Sequence, residues 1–97
     1  MQILLFDAAC SESYSTTKPI FNSLREKFKH IDWKFVNTDG NKEMRHKFNV
    51  KKTPLWLFLH RNHEVRRLNG TTPRDYLLRA VSSFNATYLL GSFGRPV

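Results

Sequence analysis

Apolar residues gather into two runs that have no polar face. Residues 2–8 contain the sequence Ile-Leu-Leu-Phe, with Asp7 near the end as the exception, and residues 54–60 contain the sequence Leu-Trp-Leu-Phe-Leu. Apolar runs of this length are typical of strands buried on both faces, in a sheet that helices cover. Proline cannot donate to the hydrogen-bond ladder, so Pro54 belongs at the first position of its strand. The two runs therefore predict the central strands of a covered sheet.

Two weaker patterns predict two further strands. Residues 31–37 alternate in part between apolar and polar, which indicates a strand with one exposed face. Residues 64–68 follow the second apolar run after Arg61-Asn62-His63, a connection of hairpin length. Asn69-Gly70 then marks a turn. We expect a hairpin of strands 54–60 and 63–68.

Helical spacing predicts a first helix after the loop at residues 9–15. Thr16 or Thr17 is suited to cap this helix, and Pro19 is suited to its first turn. Apolar residues then recur on one face of the helix. They are Ile20, Phe21, Leu24 and Phe28.

Two more helices follow from the same reasoning. Residues 41–48 predict a short helix that Met44 and Phe48 anchor. Thr72 is expected to cap the last helix, with Pro73 at the first helical position. The inward stripe of this helix should consist of Tyr76 or Leu77, Ala80 or Val81, and Phe84.

The predicted order is β-α-β-α-β-β-α, which defines an α/β fold in one domain. Parallel strands need a crossover helix and a hairpin is antiparallel, so the four-stranded sheet should be mixed, with helices on both faces. The expected spatial order of the strands is 31–37, 2–8, 54–60, 63–68. The domain is expected at 1–84. Residues 85–97 form a predicted C-terminal tail, for which fraying and docking through its apolar residues are both open.

The charge of the chain favours anionic partners. The net charge is +8 and the isoelectric point about 10.1. The densest basic cluster is Arg45, His46, Lys47, Lys51 and Lys52. Such a cluster is compatible with an acidic protein, with nucleic acid as the less favoured partner, and with an ordinary solvated surface.

Apolar run length, cysteine content and histidine spacing bear on where the protein acts and whether it binds a metal. No apolar run approaches the roughly 18 residues of a membrane span, so no membrane partner is expected. The first residues carry no basic leader, and Cys10 is the single cysteine. These features favour a reducing, cytoplasmic setting. His60 and His63 flank a predicted turn without further ligands nearby in sequence, so no metal site is predicted.

Several short segments carry a resemblance to a known family. They are Phe6-Asp7-Ala8, Pro19, Asn37-Thr38-Asp39, Val50-Lys51-Lys52-Thr53-Pro54 and Gly70. In type and spacing they resemble the thioredoxin-like superfamily, over residues 2 to about 84. The resemblance implies a minimal thioredoxin-like fold and a cis proline at Pro54.

The redox motif of that family, Trp-Cys-x-x-Cys, is altered in this chain. A gap-free count from Phe6 to Pro19 puts Ser11 in the place of the first cysteine and Tyr14 in the place of the second. A shift by one residue gives Cys10-Ser11-Glu12-Ser13, a monothiol Cys-x-x-Ser motif. The sequence leaves both registers open, and neither has a resolving thiol.

The resemblance also implies that proton-moving groups are missing. Leu5 stands where thioredoxins bury an aspartate beneath the active site, and Phe35 stands where a lysine accompanies it. Cys10 precedes a predicted helix, whose N-terminus would lower the pKa of the thiol if the two were close. Lys51 and Lys52 could add to this effect, and Glu12 would oppose it.

The resemblance and the altered motif suggest two alternative functions. The first is a binding module that has lost dithiol chemistry and retains the family's cis-proline groove, where an extended partner peptide pairs with the backbone of Thr53. Its binding residues would be Ser11, Tyr14, Lys51, Lys52, Thr53, Pro54 and Gly70. No cofactor is expected for this module. The alternative is a monothiol oxidoreductase with Cys10 and Ser13 as catalytic residues and glutathione or another thiol as the resolving thiol.

Overall fold

A computed structural model describes residues 1–92 of the chain, and their side chains as far as residue 89. The seven elements occur in the order that the hydrophobic pattern predicts. The strands are β1 (Gln2–Asp7), β2 (Asp32–Asn37), β3 (Leu55–His60) and β4 (His63–Asn69). The helices are α1 (Tyr14–Lys27), α2 (Lys42–Lys47) and α3 (Arg74–Ser92).

The four strands form one mixed sheet in the order β2-β1-β3-β4. β1 pairs parallel to β2, antiparallel pairing joins β1 to β3, and β3 to β4. Phe6 lies opposite Val36 on one side and Leu55 on the other. The predicted fold class and the predicted strand order are therefore confirmed.

β3 divides the core into two layers by simple alternation. Trp56 and Phe58 point to the layer that α1 and α3 cover, whereas Leu55, Leu57 and Leu59 point to the layer that α2 covers. Successive side chains of a strand face opposite sides of the sheet, so a strand buried on both faces needs apolar residues throughout. This requirement explains why residues 55–59 are all apolar.

The first layer is the larger. It joins alternate residues of β1 and β3 to the inward faces of α1 and α3. Its buried members are Ile3, Leu5, Phe21, Leu24, Phe28, Ile31, Trp56, Phe58, Leu77, Ala80, Val81 and Phe84. In the second layer Met44 and Phe48 pack against the opposite face of the sheet, with Val50 as a buried neighbour.

α1 begins earlier than its proline suggests. The helix starts at Tyr14 with Ser13 at the N-cap position, so Pro19 lies inside the helix and not in its first turn. Thr16 and Thr17 are already helical, and the hydroxyl of Thr17 donates to the carbonyl of Ser13. Packing of Phe21 and Leu24 on the sheet sets this start and overrides the local preference of proline.

α3 also differs from its prediction at both ends. Its first turn is closed by Leu77 N–H donating to the carbonyl of Pro73, while the Thr72 hydroxyl donates to the carbonyl of Gly70 and does not cap the helix. The helix continues to Ser92, so the predicted boundary at residue 84 falls inside it. The other tail residues of the prediction, 93–97, lie outside the described residues. Within residues 1–92 no helix is both long and apolar enough to cross a membrane.

The part of α3 beyond residue 84 contacts the end of the β3–β4 hairpin. The ring of Tyr88 lies 4.3 Å from that of His60 and 5.3 Å from that of Phe84, measured between ring centroids. We therefore expect Tyr88→Ala to lower the free energy of unfolding by about 1–2 kcal/mol, through the lost ring contacts and apolar burial.

Thr87→Ala is the matched control in urea denaturation. Thr87 is exposed and one residue away on the same helix, and its replacement should change stability by less than about 0.5 kcal/mol. Equal stabilities of the two variants would mean that α3 does not stabilise the domain beyond residue 84.

Candidate functional site

One edge of the sheet collects the segments that carried the sequence resemblance, with the exception of Pro19, which lies inside α1. The carboxyl ends of the parallel strands β1 and β2 lie there, and antiparallel pairing brings the start of β3 and the end of β4 to the same edge. Three connections therefore meet: the loop at 8–13, the turn at 38–41 and the segment at 48–54. We call the loop at 8–13 the β1–α1 loop.

The segment that enters β3 has the geometry that the resemblance implied. The Thr53–Pro54 peptide bond is cis. Pro54 is buried, Thr53 is exposed, and the amide of Gly70 donates to the carbonyl of Pro54 at 2.8 Å. Gly70 has a φ of +83°, a conformation that favours glycine. Thr53, Pro54 and Gly70 thus lie together at this edge.

An open cavity of about 240 Å³ separates Thr53 from the β1–α1 loop. It is the groove of this site, and its lining mixes apolar, acidic and basic groups. The lining residues are Ala8, Thr38, Asp39, Arg45, Val50, Lys51 and Thr53. Of the predicted binding residues, Lys51 and Thr53 line this groove directly, and Lys52 is exposed beside them.

The β1–α1 loop is built on a buried carboxylate. Asp7 is 0% exposed and accepts the Ala8 amide at 2.8 Å and the Ser11 hydroxyl at 2.9 Å. The Ser13 hydroxyl donates to its other oxygen at 3.1 Å. A charge out of water is tolerated only when several donors surround it, and Asp7 has three. Its position beside the N-cap residue of α1 adds the favourable field of the helix N-terminus.

The Asp7 network shows which contacts Ser11 and Ser13, the serines of the predicted motif registers, make. The hydroxyls of Ser11 and Ser13 lie 3.0 Å apart and both face Asp7. Ser13 makes no side-chain cap for α1, because its hydroxyl is used by Asp7. Tyr14 packs edge-on against the ring of Phe35, with 5.5 Å between centroids. Neither Ser11 nor Ser13 is placed as a partner for the Cys10 thiol.

Cys10 is exposed and faces a different partner. Its Sγ donates to Oδ2 of Asp39 at 3.3 Å. The hydrogen bond to this carboxylate raises the pKa of the Cys10 thiol, and the negative charge of Asp39 adds to the increase. α1 begins only at Tyr14. The sequence predicted a lowered pKa for Cys10 only if the helix N-terminus lay close to the thiol; the pKa is instead raised, because the thiol faces the carboxylate of Asp39.

Asn37 connects the β1–α1 loop to the turn that carries Asp39. Its side-chain oxygen accepts the Asp39 amide at 3.1 Å and the Ala9 amide at 3.4 Å. The resemblance had singled out Asn37-Thr38-Asp39 without giving these residues a role. Sequence reasoning also missed Asp7 as a site residue. Its signal was a charged residue at the end of an otherwise apolar strand.

The histidines do not form a metal centre in the part of the chain that is described. Between residues 1 and 92 no group of three His, Cys, Asp or Glu side chains converges as metal ligands would. His60 and His63 are cross-strand neighbours at the end of the hairpin, and His60 stacks on Tyr88. Burial lowers the pKa of His60, with the charge of Arg61 adding to the effect.

Removing the charge of Asp7 should destabilise the domain. Asp7→Asn keeps the shape of the side chain but places an amide NH₂ where an acceptor faces hydroxyl donors. We expect a loss of about 1–3 kcal/mol in the free energy of unfolding, measured by urea denaturation. Asp32→Asn, at an exposed position of β2, is the control and should be near neutral. Equal effects would show that the Asp7 network contributes nothing to stability.

The thiol of Cys10 should react slowly at neutral pH. We expect the rate of iodoacetamide alkylation to rise with a midpoint above about 8.5, the ordinary pKa of cysteine. In Asp39→Asn the repulsion between thiolate and carboxylate is gone, so the midpoint should fall. Asp32→Asn, far from the thiol in the sheet, should leave it unchanged. A wild-type midpoint well below the ordinary value would contradict the assigned contact.

Comparisons with known proteins show which solved structures share this fold. No protein-family model and no curated protein matches the chain. Among solved structures, thioredoxin 1 from Thermosipho africanus TCF52B superimposes with a TM-score of 0.80 at 15% identity, covering 91% of this chain and 98% of that one. The thioredoxin of Fasciola hepatica gives 0.79 at 20% identity, with 86% and 79% covered.

A plant protein gives the same picture. Thioredoxin NaTrxh from Nicotiana alata superimposes with a TM-score of 0.79 at 22% identity, covering 86% of this chain and 71% of that one. At these identities the likeness concerns the fold alone. The chain has the thioredoxin-like fold that its sequence predicted.

Proposed function

We propose that this chain is a thioredoxin-fold binding module that does not carry out dithiol exchange. The observation that carries the proposal is the Asp7 network, which uses Ser11 and Ser13 to hold the loop where the family has its redox motif. Dithiol exchange needs a second thiol to resolve the mixed disulfide, and the chain has one cysteine. The loop is organised by hydroxyl-to-carboxylate hydrogen bonds, which undergo no redox chemistry.

The groove beside Thr53 supports binding of an extended segment. Thr53 is exposed and precedes β3, so its backbone lies outside the ladder that β3 makes with β1 and β4. An extended peptide can add to such a backbone by main-chain hydrogen bonds, which give affinity without demanding a particular sequence. Gly70 borders the same edge without a side chain that would obstruct the peptide.

The positive charge in and around the groove favours an acidic partner. Arg45 and Lys51 line the groove, Lys52 lies beside it, and the chain as a whole carries a charge of +8. An acidic protein segment is therefore the favoured partner, and nucleic acid is less favoured because the half-buried aromatic rings pack inside the domain. Trp33, for example, donates its indole N–H to the carbonyl of Phe28 at 2.9 Å. We expect the module to act in the reducing cytoplasm.

A monothiol oxidoreductase is the second candidate, because Cys10 is exposed at the same edge as Thr53. In that reaction the Cys10 thiolate would attack a disulfide and glutathione would release the mixed disulfide. The raised pKa of Cys10 argues against this candidate, since it lowers the thiolate fraction at neutral pH. Ser13, the other residue of the monothiol motif, faces Asp7 instead.

The binding proposal can be tested with peptides selected on the wild-type protein from a random displayed library. Thr53→Tyr should weaken the selected peptides by about tenfold or more, since bulk at this position blocks the main-chain hydrogen bonds of the segment. Affinities would be measured by calorimetry. Amide shifts of Thr53 and Gly70 in NMR spectra would show whether the peptides occupy the groove.

Thr87→Tyr is the matched control, because Thr87 is an exposed threonine on α3. It should leave peptide affinity unchanged. Gly70 is less suitable for the test, since any side chain at its positive φ is strained. Selected peptides that bind Thr53→Tyr as tightly as the wild type would refute the groove as the binding site.

A further inference from the structure

A second cleft lies next to the groove, on the side of the hairpin. Its volume is about 370 Å³, and it is lined by Asn49, Lys51, Lys52, Arg67 and Asn69. The size falls within the range of small-ligand sites, which begins at about 300 Å³. The lining is made only of cationic and carboxamide side chains. We call it the basic cleft.

Arg67 builds one wall of the basic cleft. Its Nε and Nη2 bind the carboxylate of Glu64 at 3.0 and 2.9 Å, a bidentate pair. Nη2 also donates to the carbonyl of Phe48 at 2.6 Å and Nη1 to that of Asn49 at 3.2 Å. These bonds fix the 48–49 turn against β4. The hydrogen bond from Arg67 lowers the pKa of Glu64, so the pair is ionised at neutral pH.

The charge of the basic cleft comes from its lysines. Glu64 compensates Arg67, whereas Lys51 and Lys52 are exposed and neither forms an ion pair among the described residues. The cleft therefore has two uncompensated positive charges. A phosphate monoester carries nearly two negative charges at pH 7, and so does a pair of neighbouring carboxylates. The carboxamides of Asn49 and Asn69 can donate further hydrogen bonds to such a group.

The basic cleft borders the groove at two points. Lys51 lines both cavities. Lys52, which lines the cleft, immediately precedes Thr53, which lines the groove. A segment that pairs with Thr53 would thus carry its neighbouring side chains towards the cleft, because successive residues of an extended chain advance only about 3.3 Å.

We infer that the basic cleft binds a doubly charged oxyanion on the partner segment, either a phosphorylated serine or threonine or two neighbouring carboxylates. This inference rests on the proposed binding function, whose partner class it specifies. The dianion would compensate Lys51 and Lys52, and the fixed wall at Arg67 would hold the carboxamides around it. The main-chain contacts of Thr53 would then supply affinity and the cleft would supply selectivity.

Three small probes test the cleft without the groove. They are N-acetyl-phosphoserine methylamide, N-acetyl-Glu-Glu methylamide and the unphosphorylated N-acetyl-serine methylamide. Each is titrated into the ¹⁵N-labelled protein at constant ionic strength. We expect at least one dianionic probe to shift the amides of residues 49–53 and Asn69, and the neutral probe to shift none. The effective probe identifies the source of the charge.

Variants distinguish a site from general attraction to a basic protein. Lys51→Gln with Lys52→Gln should weaken the effective probe by about tenfold or more, as loss of charge-assisted hydrogen bonds predicts. Lys27→Gln with Lys29→Gln removes the same charge from exposed positions near the end of α1 and should have little effect. If phosphoserine is the ligand, its affinity should also fall as the pH drops through about 6.

Any of three results would overturn the inference. The first is that neither dianionic probe shifts the cleft amides, and the second is that the control pair weakens binding as much as the cleft pair. The third is that a single-stranded oligonucleotide binds the cleft more tightly than any selected peptide, which would assign the cleft to nucleic acid. Failure of the groove itself gives a different result, namely selected peptides that tolerate Thr53→Tyr while the small probes still bind.

Discussion

The carboxylate of Asp7 constrains the whole functional edge. It lies at the end of β1, out of reach of water, and it forms no ion pair with a basic side chain among the described residues. The buried carboxylate is stabilised by hydrogen-bond donors that lie within the next six residues of the chain. This requirement constrains the path of the β1–α1 loop, in which Ser11 and Ser13 turn to Asp7 and Cys10 is exposed. A buried carboxylate with its hydroxyl donors therefore organises this loop.

The two halves of the edge have different tasks. The β1–α1 loop is closed on itself through Asp7, and its remaining thiol is paired with Asp39. The opposite half carries three successive exposed residues, Lys51, Lys52 and Thr53. Polar side chains are thus paired within the loop on one side and exposed to solvent on the other. The proposed binding of an extended segment would benefit from this division, because a rigid wall lowers the entropy cost of ordering the partner.

The periodicity of apolar residues predicted the fold, because burial of one or both faces of a strand or helix determines which of its positions must be apolar. The apolar runs at β1 and β3 and the stripe of Phe21 and Leu24 needed no knowledge of tertiary contacts. Pro19 misplaced the start of α1, since a local preference was outweighed by packing. The partners of Cys10 and Asp7 could not be predicted. Asp39 comes from another element, and the path of a short loop decides which hydroxyls reach Asp7.

The weak attachment of α2 to the sheet makes this helix the part of the domain most prone to local opening. α2 has six residues, none of them buried, and Met44 with the neighbouring Phe48 packs it against the apolar layer that includes Leu4, Leu57 and Leu59. A helix this short is not stable by itself, so it should open far more often than the sheet. Arg45 lies on this helix and lines the groove, whereas Asn49 is held against β4 by Arg67. Occupying the groove would suppress this opening, so that a bound partner would stabilise the least stable part of the fold.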